Sequence, residues 1–145
     1  RSGAGGREEI MIKKINHIAI IVPDLDASLA FWRDTLGLPL THVEEVASQE
    51  SIVAFLPTGD SEVELVKPTT EASGAAKFLA KRGPGLHHIA LEVDNLEEML
   101  ARLKEKGVRL INETPITAAG GNRAAFIHPE SANGVLVELY EAGEK

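Results

Sequence analysis

An internal repeat constrains the fold of this 145-residue chain more than any other feature in it. Ile15-Asn-His-Ile-Ala-Ile-Ile-Val22 and Leu86-His-His-Ile-Ala-Leu-Glu-Val93 both read as short apolar strands in which His is followed by Ile-Ala. A turn or cap signal follows each, Pro23-Asp24 and then Asp94-Asn95. Next comes a helical pattern, with Leu25, Leu29, Trp32 and Leu36 in the first copy and Leu96, Met99, Leu100 and Leu103 in the second. Gly37 and Gly107 are suited to close these helices, 20 and 19 residues after His17 and His88. Each copy then continues through a strand (38–46, then 108–112) to Val53-Ala54-Phe55-Leu56 or Ala124-Ala125-Phe126-Ile127. Turns follow at Thr58-Gly59-Asp60 and around 131–134, and both copies end on Val-Glu-Leu, carrying Glu64 and Glu138.

Two βαβββ units in tandem are therefore expected, an α+β arrangement. Neither unit of about 55 residues could bury much apolar surface alone. Joining them into one curved mixed sheet with helices outside solves that problem, and two copies are too few for a solenoid. The expected division is a tail over 1–10, a first module over 11–68, a link over 69–85 with a short helix (75–81), and a second module over 86–145. The tail is Gly-rich and aperiodic, and Met11 is a natural start.

Composition narrows the function. The chain is 43% hydrophobic and 26% charged, which excludes a disordered or fibrous protein. Its apolar runs are strand-sized, well short of the roughly 20 residues of a membrane helix, so no membrane role is expected. With no Cys, thiol nucleophiles, disulfides and Cys-ligated zinc are out. That usage, with no signal-peptide pattern, favours the cytoplasm. A net charge of −7 argues against a nucleic-acid partner.

Four polar residues interrupt the apolar strands: His17, Glu64, His88 and Glu138. An ionised Glu buried there costs several kcal/mol unless a positive partner compensates it. No Lys or Arg lies in strand phase near Glu64 or Glu138. A divalent cation bound by two imidazoles and two carboxylates would remove the penalty from all four. Nitrogen and oxygen ligands without thiolate suit Co²⁺, Zn²⁺, Mn²⁺, Ni²⁺ or Fe²⁺. The plainer alternative is a set of satisfied core histidines with Glu64 as an edge carboxylate in water. Recurrence at matching repeat positions favours the shared metal site.

Other candidates are weaker. His87 has the opposite strand phase from His88 and reads as outward or interfacial. His128, before Pro129, reads as a turn residue, and His42 as solvated. Gly120-Gly121-Asn122 lacks the strand-to-helix setting of a nucleotide loop, so a plain loop and a substrate-gripping role both stand. Lys77, Lys81 and Arg82 form a small basic face.

With these residues in view, the chain resembles the vicinal-oxygen-chelate superfamily, which includes glyoxalase I, extradiol dioxygenases and bleomycin-resistance proteins. Within it the methylmalonyl-CoA epimerase family is the most similar. The resemblance covers about residues 14–141 and rests on His17-Ile-Ala with Pro23-Asp-Leu, on the stretch 76–94, and on 120–129 with 134–139. It implies a glyoxalase-like sheet around a metal cavity and the ligands His17, Glu64, His88 and Glu138, with Co²⁺ the first choice of ion. It also implies a homodimer, and epimerisation of methylmalonyl-CoA by proton abstraction at C2 with stabilisation of the enediolate. Glu138 would be both ligand and base. Lys77, Lys81, Arg82, Gly120, Gly121 and Arg123 are candidate substrate contacts. Where a described relative carries a second catalytic Glu, this chain has Val53. The same ligand set suits glyoxalase I, and a metal-free ligand-binding protein of the resistance kind is the non-enzymatic alternative.

Overall fold

The structure, a computed structural model, describes residues 12–142; the tail expected over 1–10 and Met11 lie outside the described residues. The first repeat contains β1 (Ile12–Ile21), α1 (Leu25–Leu29), β2 (His42–Val46), β3 (Ser51–Thr58) and β4 (Ser61–Pro68). A linking helix, α2 (Gly74–Arg82), precedes β5 (Gly85–Val93), α3 (Leu96–Glu105), β6 (Ile116–Thr117), β7 (Arg123–Ile127) and β8 (Val137–Glu141). All eight strands form one sheet in the order β2-β3-β4-β1-β5-β8-β7-β6. β1 is parallel to β4 and β5 to β8, while β1 and β5 run antiparallel at the centre. The two βαβββ repeats thus meet along β1 and β5, their His-bearing strands. This is the curved mixed sheet expected from the repeat.

Period-two alternation sorts each strand between two faces. In the first half Ala54, Leu56, Val63 and Leu65 pack with Leu25, Leu29 and Trp32 on the helix-covered face. In the second, Leu139 and Ala125 pack with Leu96, Met99, Leu100 and Leu103. The opposite face holds a smaller cluster of Val46, Val53 and Phe55, against which Val66 and Ala119 pack. Glu64 and Glu138 fall on that side, because their strand neighbours Leu65 and Leu139 face the helices.

Local signals act as anticipated at several points. The side chain of Asp24 accepts from the Ala27 N–H at 3.3 Å, and that of Asn95 from the Glu98 N–H at 3.1 Å, capping α1 and α3. Gly37 and Gly107 take φ values of +99° and +79° after those helices. Two expectations fail. The first helix widens into a π-helical stretch over Ala30–Thr35, with the Leu36 N–H donating to the Phe31 carbonyl at 2.7 Å, five residues back. That winding rotates Leu36 off the apolar stripe, and it is 53% exposed. The strand expected over 108–112 is reduced to a single bridge between Leu110 and Ile127. There the Asn112 side-chain oxygen takes the Phe126 N–H at 2.8 Å, in place of the backbone carbonyl a ladder would supply.

Candidate metal centre

The central pairing of β1 with β5 brings the two repeats' histidines together. His17 and His88 have ring centroids 5.6 Å apart. From β8, Glu138 reaches between them: its Oε1 lies 3.1 Å from His17 Nε2 and 2.9 Å from His88 Nε2. The three side chains are 3%, 11% and 4% exposed. Their donor atoms lie within 4.8 Å of one another, close enough to share one ion. Glu64 stands on the other edge of the His17 ring, with Oε2 3.3 Å from Nδ1. The sequence-predicted quartet is thus placed as a converging trio with a fourth carboxylate behind His17.

A cavity of about 30 Å³ adjoins all four, closed by Gln49, Val53, Ala118, Ala119, Phe126 and Tyr140. That is room for an ion or a water, not for an acyl thioester. The roof is the segment between β6 and β7, which crosses to the first repeat. There the Gly120 N–H donates to Glu44 Oε2 at 3.1 Å, and the Asn122 amide donates to the Tyr140 hydroxyl at 2.5 Å.

Electrostatics follow from burial. Desolvation alone would raise Glu138, but the His17 and His88 imidazoles beside it outweigh that and hold the carboxyl down at about 2. Desolvation pushes Glu64 up to about 7, with His17 opposing only in part. Burial works against a charged His17, yet Glu138 and Glu64 together raise it above its ordinary value. Burial also pushes the Tyr140 hydroxyl up, so it stays protonated.

The donor set fits a cation. His88 Nε2 is buried without a hydrogen-bond partner although a carboxylate oxygen is 2.9 Å away. Two imidazole nitrogens converge on one carboxylate oxygen, and two nitrogens with a carboxylate oxygen suit a borderline divalent metal.

The remaining candidates are scattered. Lys77, Lys81 and Arg82 line a cleft of about 340 Å³ with Phe78 and His87, and Arg82 lies 5.5 Å from the Phe78 ring centre. Gly120 and Gly121 line a separate cleft of about 580 Å³ with Lys14 and Glu62. Arg123 pairs with Glu97 at 2.8 Å and Glu141 at 3.3 Å. His128 Nδ1 accepts from the Glu130 N–H at 2.9 Å, a turn role, while His42 is exposed and stacks on Phe55. Val53, at the position where a described relative carries a second Glu, lines the cavity; the nearby Glu50 instead accepts from the Thr70 hydroxyl at 2.8 Å.

His87 takes an interfacial position, half-buried with its ring centre 5.1 Å from that of Phe78 on α2. Its Nδ1 is 2.8 Å from His88 Nδ1, and burial with the neighbouring His88 lowers it to about 4. Strand alternation could not reveal this, nor the approach of Asn16 to His17 at 2.7 Å. Tyr140, two residues after Glu138, was legible by strand phase as a wall of the same cavity.

A model of the glyoxalase/bleomycin resistance protein/dioxygenase superfamily matches residues 16–126. An uncharacterized protein of Bacillus subtilis, YqjC, is 41% identical over 90% of this chain and 93% of its own. The ethylmalonyl-CoA/methylmalonyl-CoA epimerase of Cereibacter sphaeroides is 39% identical over 89% of this chain and 98% of its own. A probable lactoylglutathione lyase of Synechocystis is 31% identical over 89% and 95%. Among solved structures, methylmalonyl-CoA epimerase from Mycobacterium tuberculosis superposes with a TM-score of 0.88 and 37% identity, covering 97% of this chain and 95% of that one. With the repeat topology and the buried imidazole–carboxylate group, these matches place the chain in the glyoxalase/bleomycin resistance protein/dioxygenase superfamily.

Proposed function

We propose that this chain is a metal-dependent methylmalonyl-CoA epimerase, interconverting the (2R) and (2S) forms through their common enediolate. The observation that carries the reading is Glu138 Oε1 shared by two buried imidazoles, one of whose nitrogens has no hydrogen-bond partner. It occurs in a chain more similar to acyl-CoA epimerases than to lactoylglutathione lyases.

His17, His88 and Glu138 would hold the ion, with Glu64 the proposed fourth ligand and Co²⁺ the first candidate. The bound cation would polarise the thioester carbonyl and carboxylate, acidifying C2. Glu138 takes the C2 proton on the oxygen not shared by the imidazoles. A carboxyl held down at about 2 by two imidazoles is ionised and so able to accept a proton, though as a weak base. Val53 supplies no second acid, consistent with an enediolate reprotonated by a group other than the one in that position. Ala118, Ala119 and Phe126 exclude water from the reacting centre, and the segment over it must move to admit substrate.

Lys77, Lys81 and Arg82 offer cations to the CoA phosphates in the cleft beside His87; Gly120 and Gly121 line a second cleft, and Arg123 a third. A cytoplasmic homodimer completes the reading, with sedimentation as the check on the dimer. The test of function is deuterium exchange at C2 of methylmalonyl-CoA with and without EDTA. Chelator-sensitive exchange supports the proposal. Turnover of a glutathione hemithioacetal alone would make the chain a glyoxalase I, the reading its resemblance to the Synechocystis lyase favours.

A further inference from the structure

The β1–β5 ladder slips three times, once between Ile12 and Lys14 and twice beside a candidate ligand. Ile15 faces Leu91 but His17 faces Ala90, which makes Asn16 an extra residue in β1. Ala19 faces His88 but Ile20 faces Leu86, which makes His87 the extra residue in β5. A bulge breaks the alternation of side chains and can turn two consecutive residues toward one another. Here Asn16 Oδ1 comes 2.7 Å from His17 Nδ1, and His87 Nδ1 comes 2.8 Å from His88 Nδ1. In both repeats the residue before the histidine therefore engages Nδ1, the ring nitrogen facing away from Glu138.

The polarity of these contacts can be read from their other partners. The Asn16 amide nitrogen donates to Glu92 Oε1 at 3.0 Å, and Glu92 is 8% exposed with its second oxygen 3.7 Å from Lys13 Nζ. An ionised carboxylate only accepts, so the amide nitrogen faces Glu92 and the oxygen faces His17. His17 Nδ1 must then carry a proton, although Nε2 lies 3.1 Å from Glu138 Oε1, an acceptor that competes for it while no ion is bound. For His88, Nε2 lies 2.9 Å from Glu138 Oε1 yet makes no hydrogen bond to it. The proton accordingly belongs on Nδ1, donated to His87 Nδ1.

We propose that Asn16 and His87 are paired positioning residues, which hold His17 and His88 as Nδ1–H tautomers so that both Nε2 lone pairs converge beside Glu138. The inference rests on the reading of both histidines as ligands of one ion. A metal-bound imidazole commonly gives its other N–H to a fixed acceptor, and losing that acceptor costs about 10–100-fold in metal affinity.

The test uses ¹⁵N-histidine-labelled full-length protein carrying Glu138→Ala, which removes the competing acceptor, stripped with EDTA at pH 9, where tautomers are read from two-bond ¹H–¹⁵N spectra. Zn²⁺ affinity is measured separately, by chelator competition, in proteins that keep Glu138. With no further change Nδ1–H is expected at both histidines. N16A should lose that preference at His17 and bind Zn²⁺ about 10–100-fold more weakly, with thermal unfolding checking that it folds. N16D, which keeps the acceptor, and H87N, which copies the first repeat into the second, should retain both tautomers. Unchanged tautomers in N16A and H87A would overturn the proposal. So would a His17 tautomer that survives N16A but is lost in E64A, since Glu64 would then be the acceptor. Both Nδ1–H tautomers in the Glu138→Ala protein with no Zn²⁺ binding by the wild type would support the positioning and sink the metal reading, so the two failures are separable.

Discussion

Replacing Glu64 by Gln in the metal-free protein should stabilise it, and increasingly so as the pH rises. Glu64 is raised from 4.5 to about 7 by desolvation, and only 9% of its side chain is exposed, so little solvent screening offsets the penalty. A carboxyl with a folded pKa above its unfolded value destabilises the fold once the unfolded chain ionises it. The penalty is absent below about pH 4.5, grows between 4.5 and 7, and is complete above 7. At about 1.4 kcal/mol per pH unit, linkage gives roughly 1 kcal/mol at pH 5 and roughly 3 kcal/mol at pH 8. Glutamine is isosteric and never ionises. The difference between Glu64→Gln and the parent should therefore widen by about 2 kcal/mol between pH 5 and 8. Glu138 behaves oppositely, stabilising the fold above its unfolded value and losing that contribution as the pH falls toward about 2. It is common to both proteins and cancels in the comparison. Urea unfolding with EDTA at four pH values reads the difference, and saturating Co²⁺ should erase it by giving Glu64 a positive partner. Stability curves that stay parallel from pH 5 to 8 would refute the reasoning.

Other outcomes follow from the same geometry. His88→Ala should lose bound metal and C2 exchange while its urea midpoint stays close to the parent's; retained activity would refute the site assignment. Metal binding at pH 7 should release at least about half a proton from Glu64, rising to about 0.9 at pH 6 and falling to about 0.1 at pH 8, with His17 adding to each value. Calorimetry in buffers of different ionisation heat measures this, and pH-independent release would contradict it. Leu100→Ala, in the α3 cluster packed on Leu139, should cost about 2–5 kcal/mol by chemical denaturation yet leave metal stoichiometry unchanged. The reason is that Leu139 faces the helices while Glu138 faces the site.

Topology and candidate donors were legible because duplication wrote them twice. Two His-Ile-Ala strands and two Val-Glu-Leu strands at matched spacing are enough to pair β1 with β4 and β5 with β8. The details that escaped are those a single strand's periodicity does not encode. A register slip belongs to two strands at once, so neither Asn16 beside His17 nor His87 beside His88 could be read from alternation. Leu36 left its stripe because the backbone changed winding after Leu29, and Asn112 replaced strand pairing with a side-chain hydrogen bond. Glu64 lies in the expected phase, but which edge of His17 it approaches depends on the sheet's curvature. The scattered substrate candidates share no local pattern. Lys77, Lys81 and Arg82 sit on a helix, Gly120 and Gly121 in a loop, and Arg123 in two ion pairs.

Crystals grown with Co²⁺ and measured on both sides of the cobalt absorption edge would address the central claim directly. One strong anomalous peak per chain, within bonding distance of His17 Nε2, His88 Nε2 and a Glu138 oxygen, is the predicted result. A protein saturated with Co²⁺ in solution whose crystals show no peak at that position, or a peak among other side chains, would contradict the account.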